Sequence, residues 1–482
     1  MQSAGSTYQV EINAAGQGDR INVSGAPGTA IIQGGTVQVL AQPGSYGAST
    51  TYTIVNATGG RSGTYAGVTS NFAFLTPSLS YDPNNVFLTL AIGQNAFSFG
   101  GNTPNQKAVG VALDQSFATA SGDFATVLGV MAGLNTVQGP IALDTISGQP
   151  YADFGTMNTN NSAMFMNAIG QQMASARGAS ATGQRQAMAQ ACEIAACDGT
   201  GPLSAWVSAL GGLGSVLGDT NASTLTYNFG GAAAGLDYRL DPRFLVGIGV
   251  GYTHGTQWVN SFMGQGWSDS VSVAAYGSFT QAGFYVDALA GYAYFNNQLQ
   301  RQILIPGLQQ RTATGSTGAN QFLGQVESGY KVGVYAPAAA TITPFGRLQI
   351  SSVTQNAFSE SGAQSLSLNV ARQTTNSLRT TLGADLGGAI SIGNGRTADL
   401  ALRLGWMHEF ADTGRPITAA FAGAPGNSFT VFGATPLRNS AVVGFSATTA
   451  IAQATSLYLR YDGEIASGTD NHALTAGLRM TW

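Results

Sequence analysis

Residues able to do acid–base, nucleophilic or metal chemistry are few in this chain and far apart. There are 3 histidines, His254, His408 and His472, and 2 cysteines, Cys192 and Cys197. No Gly-x-Ser-x-Gly elbow occurs, and no Ser, His and Asp set reads as a hydrolase. A metal centre needs several ligands in reach of one another, and the histidines are distant in sequence from the cysteine pair. The cysteines lie in "ACEIAACDG" with four residues between them. In an oxidising compartment they could close a small disulfide; two unpaired thiols are the alternative. In "MNTNNSAM", Asn160 and Asn161 stand ahead of an expected helix, where Asn and Ser cap well.

The charged residues are more informative than the nucleophiles. Asp, Glu, Lys and Arg make up only 9% of the chain, against about 25% in soluble domains. A chain so poor in charge either buries most of its surface or meets lipid. No apolar run approaches the roughly 18 residues of a membrane helix. The apolar residues instead recur at alternate positions, which suits a transmembrane β-barrel. The formal net charge is -4 with no basic run, which argues against nucleic acid as a partner. The amino end, "MQSAGSTYQVEI", has neither the basic start nor the apolar core of a signal peptide. A longer precursor, with a signal and further sequence upstream, is therefore expected.

Three regions position these residues. From residue 8 to about 97, short β-rich pieces such as "TAIIQGGTVQVLAQPG" are broken by glycine turns. They read as stacked coils at the end of a β-helix, with a small sandwich as the alternative. From about 104 to 195 the apolar spacing turns helical, predicting a connector of two or three helices. The segment 155–176 is expected to form a helix inside a pore. From about 203 onward, two-residue alternation takes over. Leu400, Leu402, Leu404, Trp406 and Phe410 share one face, and Asp399, Arg403 and Glu409 the other. The same split recurs in about twelve segments, an even number as a single-chain barrel requires. Short connections ("LDPR", "TQAG", "APAAA", "GNGR", "AQAT") alternate with longer ones, read as 297–319, 353–375 and 411–437. The inward charges Asp237, Arg239, Asp287, Glu327, Lys331, Arg403, Glu409, Arg460 and Arg479 are balanced in sign. They are expected mainly to hydrate the lumen and pair with one another, a minority holding the connector helix. The last strand, "HALTAGLRMTW", sets Leu474, Ala476, Leu478, Met480 and Trp482 on its oily side.

In order along the chain, "FLTPSLSYDPNNVFLTLAI", "GPIALDTISGQPYADFGTMNTNNSAMFMNAI", "LSAWVSALGG", "GGAAAGLDYRL", "VGIGVGYTHG" and "LTAGLRMTW" resemble a monomeric autotransporter of the type V secretion family. The resemblance implies 1–100 as the end of a β-helical passenger, 101–197 as an α-helical linker with a pore helix, and 198–482 as the barrel. The implied fold is an all-β-dominated transmembrane antiparallel barrel of about 12 strands around a helix. The implied function is an outer-membrane translocator that anchors and helps export its own passenger. A surface adhesin is one alternative, and an exported hydrolase with its catalytic domain upstream is another. The resemblance makes the terminal oily face, ending at Trp482, a signal for the barrel-assembly machinery. Some members of the family cleave themselves at paired asparagines, by attack of the amide on its own backbone carbonyl. That places a possible cleavage at Asn160 and Asn161, although the flanking residues depart from the cleaving subgroup. No cofactor is implied. The expected surroundings are outer-membrane lipid and lipopolysaccharide, with the passenger at the surface and the carboxyl terminus periplasmic.

Overall fold

A computed structural model describes residues 1–42, 44–177, 202–393, 396–452 and 454–482. Cys192 and Cys197, and with them the expected disulfide, lie outside the described residues. The first unit holds β1 (Thr7–Ile12), β2 (Ile21–Val23), β3 (Ala30–Ile32), β4 (Thr36–Ala41), β5 (Ser49–Ala57), β6 (Arg61–Gly63), β7 (Gly67–Ser70), β8 (Leu75–Tyr81) and β9 (Asn85–Ile92). β1, β4 and β7 stack in parallel, as do β2 on β5 and β3 on β6. Three sheets revisited in the same order are the coils of a parallel β-helix. In "TVQVLA", Val37 and Val39 point into the coil and are buried, while Gln38 is partly exposed. The parallel pattern stops at β9, which pairs antiparallel with both β5 and β8. The oily "NVFLTLAI" and "LTPSLSY" are thus edge-to-edge partners in a hairpin that closes the stack.

Among the described residues the connector contains five helices, more than the two or three expected: α1 (Ala96–Phe99), α2 (Pro104–Phe117), α3 (Gly122–Ala132), α4 (Gln138–Ser147) and α5 (Gln149–Ala176). Thr103 and Gln106 form a reciprocal capping box at the start of α2, with Pro104 in its first turn, which fixes where that helix begins. The β-helix and connector share aromatic contacts. Phe74 tilts against Phe97 at 4.9 Å, whereas Phe72 turns back onto Tyr46 at 5.4 Å.

The remaining strands are β10 (Leu203–Val216), β11 (Leu225–Asp241), β12 (Phe244–Val259), β13 (Met263–Gln281), β14 (Phe284–Ile303), β15 (Arg311–Tyr330), the short β16 (Val332–Tyr335) and β17 (Ala340–Gln355). There follow β18 (Phe358–Ser359), β19 (Leu368–Val370), β20 (Gln373–Gly393), β21 (Arg396–Glu409), β22 (Pro416–Phe421), β23 (Ser428–Phe432), β24 (Asn439–Ala452), β25 (Thr455–Ala466) and β26 (Thr469–Thr481). Twelve of these close an antiparallel barrel. One seam joins β10 to β26, with Ser204 opposite Thr481, and β15 pairs with β17 on the other side. β18, β19, β22 and β23 form a separate sheet in two long loops. Connections 217–224, 260–262, 304–310, 356–372, 410–438 and 467–468 lie at the end that carries the connector.

The outward face is apolar as expected: Leu382, Leu404, Trp406, Leu474 and Met480 are all exposed. The connection expected over 297–319 is not a loop. β14 runs for 20 residues to Ile303, and β15 for 20 from Arg311. A strand needs only about 9–11 residues to cross a bilayer, so these two rise beyond the apolar belt. Their outward residues there, Asn296, Gln298, Thr314 and Ser316, are polar because the wall has left the belt, and not because the chain is irregular. The inner side of this raised wall packs on the connector. Asp123 of α3 accepts from both terminal nitrogens of Arg311, at 2.6 and 2.8 Å, and also from Ser365.

The Arg311 guanidinium holds the Asp123 carboxyl below the usual carboxylate range. A depressed folded value means that the contribution is present at neutral pH. It is lost as the pH falls through the usual value of about 3.9 toward the folded one. Limited proteolysis of the connector should therefore accelerate at acid pH in the wild type. Asp123→Asn should be cleaved faster at neutral pH and show a flatter pH response; an unchanged acid response in that variant would assign the effect elsewhere.

Candidate functional site

The candidate site is the barrel lumen and the helix within it. α5 begins after Gly148, which has a left-handed backbone (φ 74°), and continues for 28 residues. It therefore starts earlier than the expected 155. Asn160 and Asn161 lie in its interior, so the expected capping role is incorrect: the helix already has its start at Gly148.

One side of α5 lies against β12 and β13. Phe154, Met157, Phe165 and Ile169 are buried there, and glycines make room for them. A Cβ on Gly251 would stand 2.8 Å from the Phe165 ring, and one on Gly255 2.5 Å from Met157. These strand glycines thus admit a helix at a distance that alanine would not. The polar residues of α5 meet the wall directly. Asn160 donates to the Tyr227 hydroxyl at 2.7 Å and accepts from Arg379 at 3.2 Å. Asn161 accepts from Thr253 at 2.8 Å, Ser162 donates to Gln321 at 2.5 Å, and Gln172 donates to Tyr458 at 2.6 Å.

The opposite wall is bridged by long charged side chains. Glu327 accepts from Arg347 at 2.6 Å and from Arg403 at 3.0 and 3.1 Å, with the Tyr285 hydroxyl adding a bond at 2.8 Å. Arg403 also forks onto Asp385, with both bonds at 2.7 Å. Arg347 reaches on to Asn167 of the helix at 2.9 Å. Arg479 pairs with Asp237 at 2.5 Å, and Glu409 with Arg379 at 3.2 Å. Arg460 pairs with Asp462 at 2.6 Å and donates to Gln171 of the helix at 2.9 Å. Arg239 donates to the carbonyl of Ala176 at 2.6 Å, satisfying the last turn of α5. Asp287 pairs with Arg177, just past that turn. Lys331 has the inward parity expected of it but is exposed near the far rim, where it shares a cavity of about 270 Å³ with Asp399 and Thr341.

The expected charge set is thus brought together, mostly as ion pairs among its own members and neighbours. Participants outside that set include Arg347, Arg379, Arg301, Glu360 and Arg415. Period two in "PFGRLQI" places Arg347 inward between outward Gly346 and Leu348, and was the signal available for it. Arg301 and Glu360 pair at 2.6 Å, and Arg415 donates to Thr156 of the helix at 3.1 Å. These lie in segments that polarity assigns to connections.

Among the described residues no Ser–His pair accompanies the network. Ser215 bonds to Asp470 rather than to a histidine, and His472 Nδ1 faces the Tyr461 hydroxyl at 2.7 Å. A serine bonded to a carboxylate and not to an imidazole lacks the histidine base of a Ser–His pair. No group of His, Cys, Asp and Glu among the described residues could hold a metal ion.

A closed barrel, apolar outside and filled inside by the helix that leads into its first strand, defines a membrane barrel occupied by its own linker. The autotransporter beta-domain profile matches residues 205–462, more than half of the chain, and the chain belongs to the autotransporter family. Its barrel is an outer-membrane translocator domain. Two extracellular serine proteases of Serratia marcescens are each 23% identical over 99% of this chain. The chain spans 48% of their length. Among solved structures, the translocator domain of the autotransporter NalP from Neisseria meningitidis aligns with 63% of this chain and 96% of its own, at 17% identity and TM-score 0.47. The beta domain of the Bordetella autotransporter BrkA aligns with 58% of this chain and 100% of its own, at 15% identity and TM-score 0.44.

Glu327 is the acceptor on which two arginines converge, and it is 4% exposed. Removing one partner from a buried pair costs about 3–5 kcal/mol. Glu327→Ala should therefore lower the temperature at which the detergent-solubilised barrel changes gel mobility. Glu327→Gln, which retains an acceptor oxygen, should fall between. Equal mobility temperatures in all three would show that the network contributes nothing to barrel stability.

Proposed function

We propose that the β-helix and connector stand on the cell surface and that the far-end turns and carboxyl terminus face the periplasm. One observation supports this most strongly. α5 passes from the connector at Gly148 into the lumen, and its last turn lies beside Arg239 and Asp287, near the far ends of β11 and β14. The chain thus runs through the barrel, as it would after drawing a passenger outward. The connector closes over the end with the longer loops, where Asn105 bonds to the backbone of Phe432 at 2.8 Å in both directions. Residues 1–100 then act as the final coils and cap of the passenger, on which upstream coils would stack, 101–197 as the linker, and 198–482 as the barrel.

The identity of the Serratia relatives as extracellular serine proteases supports an exported enzyme upstream over an adhesin whose working surface is the β-helix itself. The barrel acts as a monomer in outer-membrane lipid, without a cofactor. Linker cleavage at Asn160 and Asn161 is the less favoured reading, since both side chains are held to the wall inside a continuous helix.

The outward face of β26, Leu474, Ala476, Leu478, Met480 and Trp482, is the signal read by the barrel-assembly machinery. Trp482 is half exposed, and its backbone exchanges hydrogen bonds with Leu203 at 3.0 and 3.3 Å across the seam. An aromatic ring at that rim also suits the lipid–water interface. One experiment in cells tests orientation and signal together. Protease added to intact cells should remove an epitope placed in residues 1–100 and leave one in the far-end turn 242–243 intact; the reverse would invert the orientation. Trp482→Ser should leave little barrel in the outer membrane, yet refold from urea into detergent as a heat-modifiable species. Normal insertion in cells would remove the signal role, and loss of refolding would make the residue structural.

A further inference from the structure

Outside the lumen, all three histidines share one kind of location. His254, His408 and His472 lie on the outward face, a few residues from the connector-end termini of β12, β21 and β26. Two of them carry their own counter-charge. His254 Nδ1 stands 3.0 Å from Asp269, which also accepts from the Tyr252 hydroxyl at 2.8 Å. His472 Nε2 stands 3.6 Å from Asp470.

His408 differs. Its Nδ1 lies 2.8 Å from Asn439 Oδ1, a neutral acceptor that also receives Trp406 Nε1 at 3.2 Å. An amide oxygen only accepts, so Nδ1 carries the proton and Nε2 remains for another partner. Arg438 precedes Asn439 and lies at the same rim. Its Nη1 donates to the carbonyls of Glu409, Phe410 and Ala411 at 3.2, 3.4 and 2.7 Å. The guanidinium is thereby fixed in place, and it forms no ion pair with a carboxylate among the described residues. The imidazole is held between the Trp406 and Phe410 rings, with centroids at 5.6 and 4.5 Å. Leu404, Trp406, Phe410 and Leu437 are exposed around it. The result is a fixed guanidinium and an imidazole with an open Nε2 at the same barrel rim, next to an exposed apolar wall.

We propose that this rim of β21 and β24 binds a phosphorylated lipid headgroup of the outer leaflet. Arg438 donates to the phosphate oxygens, His408 Nε2 accepts from a protonated phosphate oxygen, and Leu404, Trp406 and Phe410 receive the acyl chains. The two histidines backed by Asp269 and Asp470 have a carboxylate beside them, which repels a phosphate. The proposal rests on the orientation given above, which places this rim in the outer leaflet.

The test is native mass spectrometry of the full chain in detergent, with bis-phosphorylated lipid A as the probe. The wild type should retain it about tenfold better than the same lipid without phosphates. His408→Gln and Arg438→Gln should each abolish that preference, while His254→Gln leaves it intact. Retention of heat-modifiable mobility shows that each variant is folded. Equal retention of both lipids by the wild type, or equal loss in His254→Gln, would overturn the proposal. Displacement of the lipid by millimolar sodium phosphate would overturn the lipid as occupant and assign the site to the free anion. Binding in detergent does not depend on which way the barrel faces in cells, so an inverted orientation would appear in the surface proteolysis alone.

Discussion

A closed strand wall satisfies its own backbone, but it leaves every inward side chain to find a partner in the lumen. Small barrels of about eight strands fill that space with their own side chains, and wider ones leave a channel or enclose something. This barrel has twelve strands, and the lumen is filled by α5. The division of labour between the two sides of the lumen follows from this. Where the helix touches the wall, at Gly251 and Gly255, the strands carry no side chain. Where it stands off, Arg347 and Arg460 reach it from the wall, while Arg403 ties Glu327 to Asp385 along the wall.

The same helix couples the lumen to the rest of the molecule. A single apolar cluster runs from Phe74 beside the β-helix, through Phe97, Leu113 and Leu143 of the connector, to Phe165 and Ala473 within the barrel. Loop residues join it from above: Phe421 tilts against Phe124 at 5.9 Å, and Arg301 and Glu360 pair beneath α4. Movement of the helix would expose part of that cluster and separate the Asn167–Arg347 and Gln171–Arg460 contacts at once. The closed mouth is thus a property of connector, loops and helix together.

The barrel was legible in the sequence because lipid on one face and water on the other impose strict alternation, as "DLALRLGWMHEF" shows. The inward charges followed from the same parity. The segment 297–319 was misread because its outward residues are polar. Polarity there marks the height at which β14 and β15 leave the apolar belt, and a two-state alternation carries no information on height. The capping role was misassigned because Asn160 and Asn161 resemble caps in isolation, whereas a helix inside a polar tube needs such residues along its length to bond the wall. The parallel stacking of β1, β4 and β7 was only partly legible, since coils of uneven length blur the repeat. Arg301 and Glu360 meet only through tertiary placement of a loop, for which no local pattern exists.

The central claim is that α5 occupies and closes the lumen. Single-channel conductance in planar bilayers tests it most directly, comparing the intact chain with one lacking residues 149–176. The intact chain should conduct little, and the deletion should open a wide, steady channel while the barrel remains heat-modifiable. The same low conductance from both folded proteins would place the helix elsewhere and contradict the account.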